Sequence, residues 1–250
     1  MYHGFCDEAV EEDPYFLLVP RQHLTDHLRD VAPTALDLDG FLRASAGRPS
    51  RPRGHLVTID DGYRSVLHVG AETFARAGVA PLLFVPPALI TDPPVSGRDG
   101  MGAEPLLTPD ELRQLIAHGF EIGVHGLDHS TMIGLSDAEL RRQTLTARDD
   151  LADITGVRAR AFAYPLGIVD SRAADAVRSA GYDVAFSVSA DLGRWGVPRV
   201  GIAPADSGTA FRFKLSPWYD VAWRVTKPLT GMRRRVRPAL QLLDRGLRSR

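Results

Sequence analysis

The amino-acid sequence predicts an α/β protein with a single barrel-like domain. Short apolar runs alternate with helix-like segments, which is the pattern of βα units around a parallel sheet or barrel. The runs are regularly spaced, and no linker between them is long enough to separate two domains. We therefore expect residues 1–207 to form one barrel and residues 208–250 to form a C-terminal extension.

About seven segments are predicted to be strands. They are short apolar runs, and most are bounded by glycine, proline or acidic residues. The predicted strands are residues 16–19, 55–61, 80–86, 121–125, 160–164, 184–188 and 197–202.

Helices are predicted between these strands from their capping residues. Thr108 with Glu111, and Ser136 with Glu139, have the spacing of capping boxes. The predicted helices are residues 65–77, the segment from 108 to 119, the segment from 136 to 156, and residues 170–180. The Pro/Gly-rich loop 91–105 is the one long irregular connection, and such loops often border a binding cleft.

Composition excludes several classes of protein. Lys and Arg number 30 against 31 Asp and Glu, and 44% of residues are hydrophobic, so neither a disordered chain nor a nucleic-acid partner is indicated. Cys6 is the only cysteine and forms no intrachain disulfide. The N-terminal segment lacks the features of a secretory signal, and no apolar run reaches 18 residues. We expect a cytoplasmic protein without a transmembrane segment.

Two acidic residues end the predicted strand 55–61. Asp60 and Asp61 precede Gly62, which allows a sharp turn. A carboxylate pair at a strand end can divide its work, one binding a cation and the other moving a proton. Taken alone, Asp-Asp-Gly is equally ordinary turn chemistry.

Two histidines four residues apart follow another predicted strand. In a helical segment, His125 and His129 would face the same way and suit one divalent ion. With Asp61 they make a set of two histidines and one carboxylate, which leaves coordination positions open, as in catalytic sites. Two nitrogens and one oxygen favour zinc or another divalent transition ion.

A third segment, Phe162–Gly167 (FAYPLG), ends a strand with an aromatic residue, a proline and a glycine. Tyr164 could line a sugar-binding cleft, and backbone N–H groups here could face a developing oxyanion. A simple turn at the end of a strand is the alternative.

Together these segments resemble the polysaccharide deacetylase family, also called the NodB-homology domain or carbohydrate esterase family four. Thr58–Gly62 (TIDDG) is similar to the family's first motif, His125–His129 to its second, and Phe162–Gly167 to its third in a Phe-Ala-Tyr-Pro form. The resemblance covers about residues 2–203. It implies a distorted (β/α) barrel that removes N-acetyl, or sometimes O-acetyl, groups from a sugar.

The resemblance also implies roles for individual residues. Asp60 would be the catalytic base, while Asp61, His125 and His129 would hold the metal, with zinc the expected ion. Tyr164, Pro165 and Leu166 would lie at the substrate, with the Leu166 N–H facing the oxyanion.

The sequence departs from the family pattern in two places. Many members have an arginine in the third motif where this chain has Ala163, and we expect Arg199 to replace it beside Asp60. Many members also have a late histidine as general acid, whereas all eight histidines here precede residue 130. His3 is our candidate for protonating the leaving amine, and a structural histidine is the alternative.

Two other functions stay open. One is a catalytically silent glycan-binding module, which the two departures from the family pattern would explain. The other is metal-dependent hydrolysis of a non-sugar amide, which relatives of this fold perform.

The C-terminal segment is predicted to be a basic amphipathic helix. Met232–Arg250 has seven arginines against one acid, a local net charge of +6, and its apolar residues recur at helical spacing. Such a helix suits packing on the barrel, and it equally suits peripheral contact with an anionic membrane.

Overall fold

A computed structural model describes residues 1–9, 13, 15–45, 54–92, 104–188, 190–216 and 218–219. The strands are β1 (Gly4–Cys6), β2 (Leu18–Pro20), β3 (Ala35–Leu36), β4 (His55–Leu56), β5 (Thr58–Ile59), β6 (Leu82–Val85), β7 (Glu121–Val124), β8 (Ala161–Ala163), β9 (Val184–Ser187) and β10 (Val197–Pro198). The helices are α1 (Arg21–Val31), α2 (Leu38–Ala44), α3 (Ala71–Ala77), α4 (Pro87–Thr91), α5 (Pro109–Ala117), α6 (Asp137–Arg141), α7 (Ala147–Thr155), α8 (Ser171–Ser179) and α9 (Gly208–Leu215).

A six-stranded parallel sheet forms the centre of the domain. Its strand order is β5-β6-β7-β8-β9-β10, and helices connect most of these strands. The pairs β1–β2 and β3–β4 are also parallel. Because the main strands are parallel and follow chain order, their C-terminal ends meet at one rim, where ligand sites of α/β folds are built.

The first two residues hydrogen-bond to both edges of this sheet. The Tyr2 N–H donates to the Thr58 carbonyl at 2.8 Å, and the Asp60 N–H donates to the Tyr2 carbonyl at 3.0 Å. In the segment that follows β10, the other edge strand, the Ile202 N–H donates to the Met1 carbonyl at 3.0 Å. The sheet is therefore curled, and the predicted distorted α/β barrel is confirmed.

The inner core of the barrel is apolar. Phe84 from β6 and Phe186 from β9 lie 5.6 Å apart between ring centres, and Phe41 from α2 packs on Phe186 at 5.5 Å. Alanines on β8 complete this cluster. Small residues on one strand leave space for the large rings of its neighbours, so the barrel is filled with side chains.

The helix boundaries follow the predicted capping residues. Thr108 and Ser136 each form a complete capping box, with Glu111 and Glu139 respectively. Two helical segments contain a π-helical turn, Val66–Gly70 before α3 and Arg142–Thr146 between α6 and α7. Neither capping residues nor periodicity indicated these wider turns.

The predicted strand 55–61 is shorter and divided in the structure. β4 pairs with β3 in a separate small sheet, while β5 joins the main sheet. Val57 lies between them, and its carbonyl accepts a hydrogen bond from the Leu82 N–H. One apolar run thus contributes to two sheets, a change of partner that periodicity alone does not reveal.

The backbone divides into two units after Ser207, and the second is described for residues 208–216 and 218–219. The predicted basic helix, residues 232–250, lies outside the described residues, as does most of the 91–105 loop. Within the described residues, no helix has the length and apolar character needed to cross a membrane.

Candidate active site and metal centre

Asp60 and Asp61 lie at the C-terminal rim of the sheet, directly after β5. Both are buried, with 3% and 5% of their surface exposed. Asp61 has a φ of 76° and Gly62 a φ of 81°. Positive φ is uncommon for a residue other than glycine and costs free energy, so the surrounding structure must impose it on Asp61.

The two histidines follow β7 at the same rim. The His125 N–H donates to the Val85 carbonyl at 2.9 Å, which continues the pairing of β7 with β6. Residues 126–128 form a turn rather than a helix, and His129 has a φ of 62°. The helical segment considered from the His-x-x-x-His spacing is therefore not present. A turn with positive φ at both Gly126 and His129 brings the rings together instead.

The structure brings Asp61, His125 and His129 into one cluster. Asp61 Oδ1 lies 3.4 Å from His125 Nε2 and 3.3 Å from His129 Nε2. Potential ligand atoms of the three residues all lie within 4.8 Å of one another. Asp61 Oδ1 is buried and accepts no aligned hydrogen bond from the described residues. An orphaned carboxylate oxygen facing two imidazole nitrogens fits a divalent cation.

A further hydrogen bond orients His125. Its Nδ1 lies 2.8 Å from the Ala163 carbonyl oxygen, and because a carbonyl only accepts, Nδ1 carries the proton. Nε2 is then the nitrogen that presents a lone pair to a metal. Such an outer contact is typical of histidine ligands.

Charges in the site oppose the effect of burial. Burial alone would raise the pKa of Asp61, but its contacts with His125 and His129, with the charge of His3, hold that pKa well below the usual range. Burial would likewise lower the pKa of His125, but the charges of Asp60 and Asp61 raise it above the ordinary value.

Arg199 lies beside Asp60, in the place predicted for it. Its Nη1 and Nη2 donate to Asp60 Oδ1 and Oδ2, each at 2.7 Å. The guanidinium is almost fully buried and lies over the Phe84 ring, 5.4 Å from its centre. Burial opposes ionisation of Asp60, but the charges of Arg199 and His125 outweigh it and lower the Asp60 pKa.

His3 belongs to the same neighbourhood. It follows Tyr2, whose backbone is hydrogen-bonded to Thr58 and Asp60. Its charge contributes to lowering the pKa of both Asp60 and Asp61. His3 is partly buried.

The third segment requires one correction. Tyr164 was expected to line the cleft, but its side chain is fully buried and its hydroxyl donates to the Trp195 carbonyl at 2.8 Å. A buried ring packed on Phe162 offers no face to a sugar. Pro165 is also buried, whereas Leu166 is 62% exposed with a φ of 60°.

Two residues near the cluster were missed at the sequence level. Tyr63, directly after the Asp-Asp-Gly turn, is buried beside Asp61, and burial together with the Asp61 charge raises the pKa of its hydroxyl. Its position after the motif was the available signal. Gln143 contacts the 125–129 turn from a distant helix, and nothing in the sequence indicated it.

Comparisons with known proteins agree on one family. The polysaccharide deacetylase family model matches residues 47–185. The chain is 22% identical over 204 residues to Bacillus subtilis (strain 168) YxkH, a protein named provisionally as a polysaccharide deacetylase, covering 78% of this chain and 69% of YxkH.

Solved structures show the same fold. Streptococcus pyogenes deacetylase PplD, in complex with acetate, matches with a TM-score of 0.72 and 18% identity over 87% of this chain and 96% of PplD. IcaB from Ammonifex degensii matches with a TM-score of 0.65 and 21% identity over 86% of this chain and 97% of IcaB. At these identities the likeness establishes the fold.

Proposed function

The chain belongs to the polysaccharide deacetylase family, and from this we propose that it removes N-acetyl groups from an acetylated sugar with the help of a divalent metal ion. Members of the family are hydrolases that act on carbon–nitrogen bonds other than peptide bonds, and this chain is an enzyme of that class.

The observation that carries the metal dependence is the orphaned Asp61 Oδ1. It is buried and faces His125 Nε2 and His129 Nε2 at 3.4 Å and 3.3 Å. These three residues would hold the ion, and two nitrogens with one oxygen favour zinc. A bound divalent ion supplies Lewis acidity, which makes water more acidic and polarises the amide carbonyl.

Asp60 is the proposed general base. Its carboxylate lies 3.8 Å from His125 Nε2, so it borders the same cluster without joining it. The Arg199 contact keeps it ionised, and an ionised carboxylate accepts the proton of the attacking water. Arg199 therefore acts as a positioning residue for Asp60.

The remaining steps use groups on either side of Asp60. His3 is proposed to protonate the departing amine, because it lies at the rim and adds positive charge near both aspartates. The Leu166 N–H is proposed to donate to the oxyanion, since the positive φ of Leu166 is the type of backbone strain found at functional sites.

The test measures metal content and acetate release together. Asp60→Asn should keep one zinc per chain but lose about 100- to 10,000-fold in activity, the usual cost of removing a general base. His129→Ala should hold well below one equivalent of zinc, while the exposed His118→Ala serves as the matched control.

Mass spectrometry of acetylated oligosaccharides, lipid-linked sugars and small amides identifies the substrate class. If only small amides were hydrolysed, the substrate would be a non-sugar amide rather than an acetylated sugar. Zinc binding without any turnover would indicate a silent glycan-binding module. If Asp60→Asn emptied the site and Asp61→Asn did not, the roles of the two aspartates would be exchanged.

A further inference from the structure

We propose that Gln143 is a positioning residue of the metal centre, where its side-chain amide clamps the turn that carries His129. The inference rests on the proposed function, because it concerns the same metal site. Gln143 lies outside the three motifs, 14 residues after His129 in the π-helical turn Arg142–Thr146.

The amide contacts the turn at two points. Gln143 Oε1 accepts a hydrogen bond from the Leu127 N–H at 2.7 Å, and Gln143 Nε2 donates to Asp128 Oδ1 at 2.7 Å. Gln143 is buried, with 6% of its surface exposed. Both hydrogen bonds are short and therefore contribute a defined geometry to the turn.

Neighbouring contacts hold the same turn from the other side. The Leu127 carbonyl accepts a hydrogen bond from the Ala88 N–H at 3.0 Å, so both backbone groups of Leu127 are bonded. Gly126 packs closely, since a Cβ there would lie 2.9 Å from Gln143 Oε1 and 2.9 Å from a Pro165 carbon. The turn thus has little freedom to move relative to Gln143.

His129 needs this support more than His125 does. The Nδ1 of His125 is held by the Ala163 carbonyl outside the cluster, whereas the His129 ring contacts members of the cluster itself, Asp61 Oδ1 at 3.3 Å and the His125 ring at 5.1 Å between centres. His129 also has a φ of 62°, which persists only when surrounding contacts impose it. The position of the His129 ring therefore depends on the backbone turn that Gln143 clamps.

An amide is the side chain suited to this task. It must accept from a backbone N–H at one atom and donate to a carboxylate at the other, which neither methionine nor glutamate can do. The π-helical turn is a second indication, because such turns occur frequently at functional sites.

The experiment measures zinc affinity of the full chain by competition with a chromophoric chelator. Gln143→Met removes both hydrogen bonds at nearly constant volume and should weaken zinc binding about 10- to 100-fold, the usual range when a group that orients metal ligands from outside the coordination sphere is lost. Gln114→Met, the same change at an exposed position of α5, should bind zinc like the native chain.

A second pair of variants keeps the test valid if Gln143→Met folds poorly. Gln143→Glu places two carboxylates against each other and should also weaken zinc binding. Adding Asp128→Asn restores a donor opposite the new carboxylate and should recover part of the lost affinity. Native affinity in Gln143→Met, or no recovery in the double variant, would overturn the clamp.

Amide exchange in the metal-free protein separates this inference from the proposed function. If the native chain bound no zinc, the metal centre itself would fail. The clamp would then be tested by hydrogen exchange of the Leu127 N–H, which should be faster in Gln143→Met than in Gln114→Met. Equal exchange rates would overturn it.

Discussion

Arg199 holds both oxygens of Asp60, and this contact sets the charge of the proposed base. The two hydrogen bonds are each 2.7 Å long and almost fully buried. Breaking a buried ion pair by removing one partner typically costs about 3–5 kcal/mol, because the other charge stays buried without compensation. The pair therefore matters both for folding and for the ionisation of Asp60.

We expect Arg199→Gln to move the acidic limb of the activity profile to higher pH. Burial raises the pKa of Asp60 and Arg199 lowers it, so the pKa rises when the guanidinium is removed. At a given acidic pH, a larger fraction of the enzyme then has Asp60 protonated and unable to act as a base. The measurement is kcat/KM against pH. Arg158→Gln, at an exposed ion pair with Asp149, is the control. An unchanged limb in Arg199→Gln would contradict the role of this contact.

At the scale of elements, the helical segment from α6 to α7 combines a capping box at its start with the proposed clamp residue Gln143. α6 begins with a capping box in which Ser136 Oγ accepts from the Glu139 N–H and the Ser136 N–H donates to Glu139 Oε2. The following π-helical turn places Gln143 against the 125–129 turn. The capping box that stabilises the start of this segment and the residue proposed to position the metal site thus lie about two helical turns apart.

Ser136→Ala should lower the free energy of unfolding by about 1 kcal/mol, because it leaves a backbone N–H of the first helical turn without its acceptor. Zinc affinity should not change, since the rest of the helix still presents Gln143. Chemical denaturation and zinc titration check both statements, with the exposed Ser179→Ala as control. A parallel loss of zinc affinity would mean that the clamp depends on the start of α6.

At the scale of the whole barrel, a buried histidine ties the first strand to the end of the domain. His27 Nε2 lies 2.6 Å from the Asp206 carbonyl oxygen and therefore carries the proton, while Nδ1 lies 3.2 Å from the Tyr2 hydroxyl. Burial is the main cause that lowers the His27 pKa, so the neutral ring is favoured. This links α1, the segment before β1 and residue 206.

Stability should consequently fall as the pH drops below about 6.5, the ordinary histidine pKa. Because the His27 pKa is lower in the folded protein, the unfolded chain binds more protons between the folded and the ordinary pKa of histidine. The contribution of His27 to stability is therefore complete above the ordinary pKa and is lost as the pH falls towards the folded pKa. Urea unfolding between pH 7 and pH 5 should show a smaller slope with pH in His27→Gln than in the native chain. Parallel slopes would contradict the effect.

The C-terminal segment gives the last prediction at this scale. Its +6 charge would attract an anionic surface by about 1 kcal/mol per basic residue near the lipid. We expect the full chain to pellet with anionic vesicles at low salt, and a chain ending at Gly231 to pellet less. Neutral vesicles are the control. Equal pelleting of both chains with anionic vesicles would reject membrane contact through the tail.

The sequence by itself determined the class of fold and the residues of the proposed metal site. Local signals sufficed for these features. Capping residues set helix starts, apolar runs marked strands, and the Asp-Asp-Gly and His-x-x-x-His motifs supply metal-ligand residue types that indicate a metal site when they occur together. Because the C-terminal ends of parallel strands meet at one rim, residues from separate motifs could be expected to converge.

Only the tertiary structure decided which side chains face the cleft and which support it. The burial of Tyr164, the division of the 55–61 run between two sheets and the reach of Gln143 depend on contacts between segments far apart in the chain. The positive φ of Asp61 and His129 has the same origin, since local preferences disfavour it and surrounding packing imposes it. Periodicity and propensity describe neighbours along the chain, and these features are set by neighbours in space.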